Sequence, residues 1–161
     1  MSGKYFRSAS WLAVSIVLAS ALGACGGGSG YNGGKTAVTT TTTFSSTLAG
    51  SSETPPNVST ASGLGSVVAD SATKAMVASV ATSGITGTAA HIHEGAAGVA
   101  GPIVFPLTET TPGSAEWGTS VVMTDAQLAT LKAGGYYFNV HSAAFPNGEI
   151  RGQILASGVV Y

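Results

Sequence analysis

Two runs near the C-terminal end of the chain alternate between apolar and polar side chains, and this alternation constrains the fold more than any other feature. In residues 136–141 the polar positions are Tyr137, Asn139 and His141, with apolar residues between them. Residues 149–154 alternate in the same sense. A period of two is typical of β-strands, in which successive side chains point to opposite faces. Both runs therefore predict strands that have one apolar face and one polar face.

A turn signal, Pro146-Asn147-Gly148, separates the two runs and predicts an antiparallel hairpin. Antiparallel partners keep a constant sum of residue numbers. If the ladder closes directly around this loop, the expected cross-strand pairs are His141 with Glu149, Asn139 with Arg151, and Tyr137 with Gln153. A slip of one residue would move the polar side chains to the apolar face, so the pattern favours this register.

The chain contains three histidines, and two of them are separated by a single residue. His91 and His93 lie in an alternating segment, so both imidazoles project from one face of a strand while Ile92 projects from the other. His141 ends the first of the two runs, on its polar face. Imidazole nitrogens bind copper and zinc. We therefore hypothesise one copper or zinc site formed by His91, His93 and His141.

Other polar residues are expected close to the three histidines. Glu149 and Glu94 are candidates for a fourth ligand, or for an acceptor that fixes the tautomer of an imidazole. Asn139 and Arg151 share the polar face, and we expect Arg151 to pair with Glu149 or Asn139. An alternative stays open: the same residues form a hydrogen-bonded polar cluster that fixes the strand register and holds no ion.

The first 24 residues have the pattern of a secretory signal peptide. A short basic start precedes an apolar segment, residues 11–22, which is shorter than the roughly 20 residues of a membrane span. Leu22-Gly23-Ala24-Cys25 resembles a bacterial lipobox, and the resemblance implies that Cys25 becomes the lipidated first residue of the mature protein. Residues 25–43 then comprise this cysteine and a flexible tether of mainly Gly, Ser and Thr. We expect an extracytoplasmic domain anchored by lipid in the membrane of a bacterial cell envelope.

Charge and cysteine content exclude several functions. The chain has six basic and seven acidic residues, too little positive charge to follow a phosphate backbone, so no nucleic-acid partner is expected. With its only cysteine used for the anchor, the chain has none for a disulfide, a thiolate metal site or a nucleophile. Catalysis at an ion requires an open coordination position, which sequence does not establish. We therefore favour a binding or structural module over an enzyme.

The remaining residues, 44–161, have the length of one small domain. Residues 124–134 predict one helix, with Thr124 as N-cap, Gln127 in a capping box and Gly134 at its end. Many short strands with one short helix predict an all-β fold, either a Greek-key β-sandwich or a flattened barrel. Besides the strands already described, strands are predicted at residues 44–48, 63–69, 74–81, 103–107 and 117–123.

Four segments form a recognisable series in order and spacing: residues 89–95 (AAHIHEG), 101–104 (GPIV), 137–142 (YFNVHS) and 146–154 (PNGEIRGQI). They resemble the landmarks of the CHRD domain, a module named after chordin and widespread in bacterial secreted proteins, and residues 48–56 resemble its usual opening. The resemblance implies an extracellular module without a settled biochemical role. As a binding or structural module, the domain is expected to meet another envelope or extracellular protein.

A weaker resemblance is to copper-zinc superoxide dismutases, in which a His-x-His strand and a later histidine hold copper on a β-sandwich. It implies that His91, His93 and His141 correspond to those copper ligands. A superoxide-dismutase-like metalloenzyme is therefore one alternative function, and a metal-free protein-interaction module is another.

Overall fold

The computed structural model describes residues 41–157. The predicted signal peptide, Cys25 and residues 26–40 of the predicted tether lie outside the described residues, as do residues 158–161. Within residues 41–157, no helix is long and apolar enough to cross a membrane.

The described part contains nine strands, one α-helix and a short 3₁₀ turn at Gly50–Ser52. In chain order the elements are β1 Thr41–Ala49, β2 Ser62–Asp70, β3 Ala75–Ser83, β4 Gly87–Glu94, β5 Ile103–Glu109, β6 Glu116–Val122, α1 Asp125–Lys132, β7 Tyr136–Ser142, β8 Ile150–Gln153 and β9 Leu155–Ala156.

The strands form one antiparallel sheet that closes on itself. Along the sheet the order is β2, β3, β6, β5, β4, β7, β8 and β1, and β1 also pairs with β2, which closes the ring. The short β9 pairs with β1 at Phe44 and Ser45. The all-β prediction with one short helix is therefore confirmed, in its barrel form.

Strands β4 to β7 form a Greek key. β4, β5 and β6 follow one another and pair in that order, while β7 returns along the other side of β4. The helix α1 lies in this long return connection. The topology places β4 beside β7, and therefore places His91 and His93 on the strand next to His141.

The barrel interior is apolar. Along β2 and β3 every second side chain is buried, as expected where one sheet face is packed and the other faces water. Burial of this apolar area is the main favourable contribution to folding. The largest fully buried side chains include Phe44, Leu48, Met76, Ile92, Leu131, Tyr136, Phe138, Ile150 and Ile154.

The β7–β8 hairpin has most of the predicted register. Asn139 pairs with Arg151, and Tyr137 with Gln153. The ladder ends at Val140 and Ile150, so the predicted pairing of His141 with Glu149 was wrong. Strand β7 continues to Ser142 against β4, but its pairing with β8 stops at Val140 because residues 143–149 fold into a turn that includes Gly148, whose φ of 126° favours glycine.

The first strand begins earlier than predicted. Thr41, Thr42 and Thr43, assigned to the tether from their composition, pair with residues 68–70 of β2. The tether prediction was wrong for these three residues because threonine is β-branched and suits a strand as well as a linker.

The predicted helix is confirmed as α1. Thr124 caps it, and the capping box with Gln127 is complete. Gly134 follows the helix with a φ of 71°, and Leu128 and Leu131 are buried on its inner side.

Candidate metal centre

His91 and His93 lie on the outer face of the barrel wall. Between them Ile92 points into the interior and is 1% exposed. On the neighbouring strand β7, His141 lies opposite Ala89, and Tyr137 lies opposite His93. The three histidines therefore share one outer face, as the sequence predicted.

The outer face of β4, β7 and β8 is covered by three loops, residues 50–61, 95–102 and 143–149. We call the loops and the side chains beneath them the outer polar layer. Hydrogen bonds from the strands reach all three loops, for example from Arg151 to Thr54, from His93 to Gly101 and from His141 to Pro146. The side chains of this layer are His91, His93, Tyr137, Asn139, His141, Glu149, Arg151 and Gln153.

Backbone carbonyl groups fix the orientation of two of the rings. His93 Nδ1 donates to the Gly101 oxygen over 2.9 Å, and His141 Nδ1 donates to the Pro146 oxygen over 3.0 Å. A carbonyl oxygen can only accept, so each Nδ1 carries a proton and each Nε2 of the neutral ring keeps its lone pair. Metal-binding imidazoles are commonly held in this way.

One ligand nitrogen from each of His91, His93 and His141 lies within 4.8 Å of the others. His91 Nδ1 donates a hydrogen bond to the lone pair of His141 Nε2 over 3.1 Å, and a bound ion would replace the shared proton. Two nitrogen atoms bound to one tetrahedral zinc ion, each at about 2.0–2.1 Å, lie about 3.3 Å apart. The spacing of this pair is therefore close to that of two ligands of a single ion.

The third nitrogen, His93 Nε2, is buried and has no hydrogen-bond partner among residues 41–157. Leaving a buried polar atom unpaired costs about 1–3 kcal/mol. An ion bound between the three rings would satisfy this atom, so the residues present fit copper or zinc.

Burial keeps two of the imidazoles neutral. It lowers the pKa of His91, and the nearby His141 and His93 lower it further. Burial also lowers the pKa of His93, as do His141 and Arg151, although the hydrogen bond to Gly101 raises it. Neutral imidazole is the form that binds a metal, so both rings are in the ligand state at pH 7.

Neither candidate carboxylate belongs to the histidine cluster. Glu149 Oε1 accepts a hydrogen bond from Ser59 Oγ over 2.7 Å. Glu94 is exposed. The pKa of the buried residue Tyr136 is raised mainly by its own burial and further by the negative charge of Glu94. The group of His, Cys, Asp and Glu side chains that the described residues bring together for an ion contains only the three histidines.

The prediction that Arg151 pairs with Glu149 or Asn139 was wrong. The Arg151 side chain instead donates hydrogen bonds to oxygen atoms of two loops. It is 2% exposed. Its guanidinium donates to Thr54 Oγ1 over 3.3 Å and to the carbonyl oxygens of Ala96 and Val99 over 3.0 and 2.9 Å. The cross-strand position opposite Asn139 is correct, but the side chain crosses to the loops.

Asn139 is buried opposite His91 and Arg151. Its neighbour Glu53 did not emerge from the sequence. A Cβ atom on Gly148 would lie 2.8 Å from Glu53 Oε1 and 2.7 Å from Asn139 Oδ1, and both oxygens lack a hydrogen-bond partner in the described part of the chain. Burial raises the pKa of Glu53, although the charge of Arg151 and a backbone bond from Thr54 lower it.

The family profile of the CHRD domain matches residues 44–154, more than half of the chain. The chain belongs to the CHRD family. The match spans β1 to β8 and includes the three histidines, so the predicted family is confirmed. No curated protein and no solved structure matches this CHRD chain.

Proposed function

We propose that this CHRD domain is an extracytoplasmic, lipid-anchored module that binds one copper or zinc ion through His91, His93 and His141. The observation that carries the proposal is His93 Nε2, a buried atom without a hydrogen-bond partner in residues 41–157, in a cluster whose three ligand nitrogens lie within 4.8 Å of one another. Glu53 Oε1, Asn139 Oδ1 and Gln153 Oε1 in the same layer also lack a hydrogen-bond partner within residues 41–157. His93 Nε2 differs from them because it belongs to a group of three imidazoles that could hold a single ion.

The residues divide the work between binding and orientation. His91 Nδ1, His93 Nε2 and His141 Nε2 are the nitrogens that would hold the ion, and the carbonyl groups of Gly101 and Pro146 orient two of the rings. Three imidazoles leave a fourth coordination position for water or a small ligand. His91 and His141 are half-buried whereas His93 is buried, so water or a small ligand would reach a bound ion past His91 and His141.

Metal binding is tested on the full chain purified in detergent. Elemental analysis and calorimetric titration with zinc and copper are expected to give one ion per chain. The variant His91→Ala/His93→Ala/His141→Ala is expected to bind none. A matched control changes three exposed residues on the opposite wall, Thr43→Ala/Ser66→Ala/Ser79→Ala, and is expected to bind as the wild type does.

Two results would refute the metal centre. One is the absence of specific binding by a folded wild-type chain, which would favour the metal-free interaction module. The other is equal binding by the triple-histidine variant, which would place the ion elsewhere.

The anchor is tested separately in bacterial cells. Metabolic labelling with a radioactive fatty acid is expected to label the wild-type chain and not Cys25→Ala. The unlabelled variant is expected to leave the membrane fraction on cell fractionation. A Cys25→Ala chain that stays membrane-bound would contradict the lipid anchor without affecting the metal site.

A further inference from the structure

Three side chains form a stack across neighbouring strands: His93 on β4, Tyr137 on β7 and Arg151 on β8. The ring centroids of His93 and Tyr137 are 5.0 Å apart and the ring planes differ by 12°. The central guanidinium carbon of Arg151 lies 3.4 Å from the Tyr137 centroid. Because β7 lies between β4 and β8, the tyrosine ring lies between the other two groups.

Loop 95–102 is bonded to this stack at several points. Arg151 Nη2 donates to the carbonyl oxygens of Ala96 and Val99. At the far end of the loop, the Gly101 N–H donates to the Tyr137 hydroxyl over 3.0 Å, and the Gly101 oxygen accepts from His93. One peptide segment thus connects the tyrosine to the histidine.

Gly101 cannot be replaced without moving this segment. A Cβ atom at residue 101 would collide with the carbonyl oxygen of Glu94. The loop end therefore packs directly against the end of β4, which fixes the carbonyl that accepts from His93.

Burying the charge of Arg151 carries a desolvation penalty that an apolar side chain at a purely structural position would avoid. Arg151 is almost fully buried, and the one ion pair in residues 41–157 joins Lys74 and Asp125 instead. Arg151 attracts the Glu53 carboxylate, whose pKa it lowers, but forms no ion pair with it, so the buried charge depends mainly on its hydrogen bonds and on the ring on which it stacks. An apolar side chain at such a position is often neutral or better for stability.

We propose that Arg151 and Tyr137 are positioning residues for the metal centre. They hold loop 95–102 so that the Gly101 carbonyl keeps the proton of His93 on Nδ1 and leaves Nε2 for the ion. Their effect on ion affinity rests on the proposed function, whereas their effect on the His93 ring is a property of the chain alone.

Two effects of Arg151 on a bound cation oppose each other. The positive charge repels the cation, which weakens binding, whereas the fixed loop orients His93, which strengthens it. Losing a residue that orients a metal ligand typically weakens affinity 10–100-fold. Arg151→Met removes both effects, so the direction of its change in affinity decides which one dominates.

The first test reads the His93 tautomer by ¹⁵N–¹H long-range NMR on the chelator-treated full chain in detergent. The wild type is expected to carry the His93 proton on Nδ1. In Arg151→Met and in Tyr137→Phe, which keeps the ring but removes the hydroxyl, the proton is expected to distribute between both nitrogens. A wild-type pattern in both variants would overturn the proposal.

The second test is zinc titration of the same chains. Arg151→Met and Arg151→Lys are expected to bind about 10–100-fold more weakly, and Tyr137→Phe about 10-fold more weakly. The lysine variant keeps the charge but loses the planar fork that reaches two carbonyls. Because Arg151→Lys keeps the charge, equal or tighter binding by this variant would overturn the positioning role.

The matched control is Gln153→Met. Gln153 Nε2 donates to the oxygens of Gly95 and Gly134, so this variant loosens the start of the loop without removing a bond of Gly101. Its zinc affinity is expected to stay within about 2-fold of the wild type even if urea unfolding shows that the variant is less stable. If the zinc affinity of all variants falls in proportion to their free energy of unfolding, Arg151 and Tyr137 have only a structural role and the proposal is overturned.

The two tests separate two failures. If the wild type binds no zinc but its His93 tautomer still depends on Arg151 and Tyr137, the proposed metal function fails and the positioning of the ring stands. If zinc binds and neither variant affects the tautomer or the affinity, the metal function stands and the positioning role fails.

Discussion

The two faces of one barrel wall are held together by different forces. On the inner face Ile92, Phe138 and Ile150 pack by apolar contact and are almost fully buried. On the outer face, one residue away along each strand, His93, Tyr137 and Arg151 stack and hydrogen-bond to loops. Apolar packing is not directional and supplies free energy, whereas hydrogen bonds depend on angle and supply geometry. The inner face accordingly determines stability, and the outer polar layer determines where donor atoms point.

The largest effect is expected from truncation on the inner face. Phe138→Ala removes a ring that is 1% exposed and should lower the free energy of unfolding by about 3–5 kcal/mol, measured by urea denaturation. The folded fraction should still bind one zinc ion per chain. Loss of zinc binding by a chain that remains folded would mean that the two faces are not separable in this way.

Ion binding should stabilise the chain through the outer layer alone. Zinc at about a thousand times its dissociation constant should raise the free energy of unfolding by about 4 kcal/mol, followed as a rise in Tm that a chelator reverses. The triple-histidine variant should show no rise. An equal rise in that variant would assign the stabilisation to another part of the protein.

Acid should weaken the outer layer and spare the inner face. Because the folded-state pKa values of His91 and His93 lie below the ordinary 6.5, the unfolded chain binds more protons between each lowered value and 6.5. Stability is then complete above pH 6.5 and falls as the pH drops through that window. Urea midpoints of the chelator-treated chain at pH 7.5 and 5.5 measure the fall, which should be smaller in His91→Gln/His93→Gln.

The smallest effect is expected at Glu53, a carboxylate of the outer layer whose pKa burial raises. The folded chain binds its proton more tightly than the unfolded chain, so ionisation lowers stability as the pH rises above 4.5. Glu53→Gln removes this charge and offers Asn139 Oδ1 a donor, and should stabilise the chain by about 1 kcal/mol at pH 7. The exposed control Glu116→Gln should stay within about 0.5 kcal/mol of the wild type, and a loss of stability in Glu53→Gln would contradict this account.

The sequence predicted those parts of the fold that repeat with a fixed period. The alternation in residues 136–154 gave the strands and two of the three hairpin pairs, and the capping pattern from Thr124 gave α1. The tether was extended too far because Thr41 to Thr43 carry no alternation, and their strand depends on pairing with β2.

The three histidines of the site could be predicted from the metal-binding chemistry of imidazole and from their positions in the sequence, but the residues that surround them could not. Nothing local indicates the register of β4 against β7, because two strands and a helix separate them, so the stacking of Tyr137 on His93 was not predicted. The partners of Arg151 and His93 are backbone carbonyls of a loop, and a carbonyl has no residue type that a motif could reveal. Glu53 lies in a loop without periodicity, and its burial depends on residues 139 and 148, far along the chain.

The Greek key also determines when the histidine cluster can assemble. His91 and His141 lie 50 residues apart in the chain, and β7 reaches β4 only after β5, β6 and α1 have been made. Contacts between such distant residues form late, because a long loop must close first, and folds dominated by them fold slowly. A nascent chain that ends before residue 136 carries only two of the three imidazoles, so the complete cluster appears only in a molecule whose topology is finished.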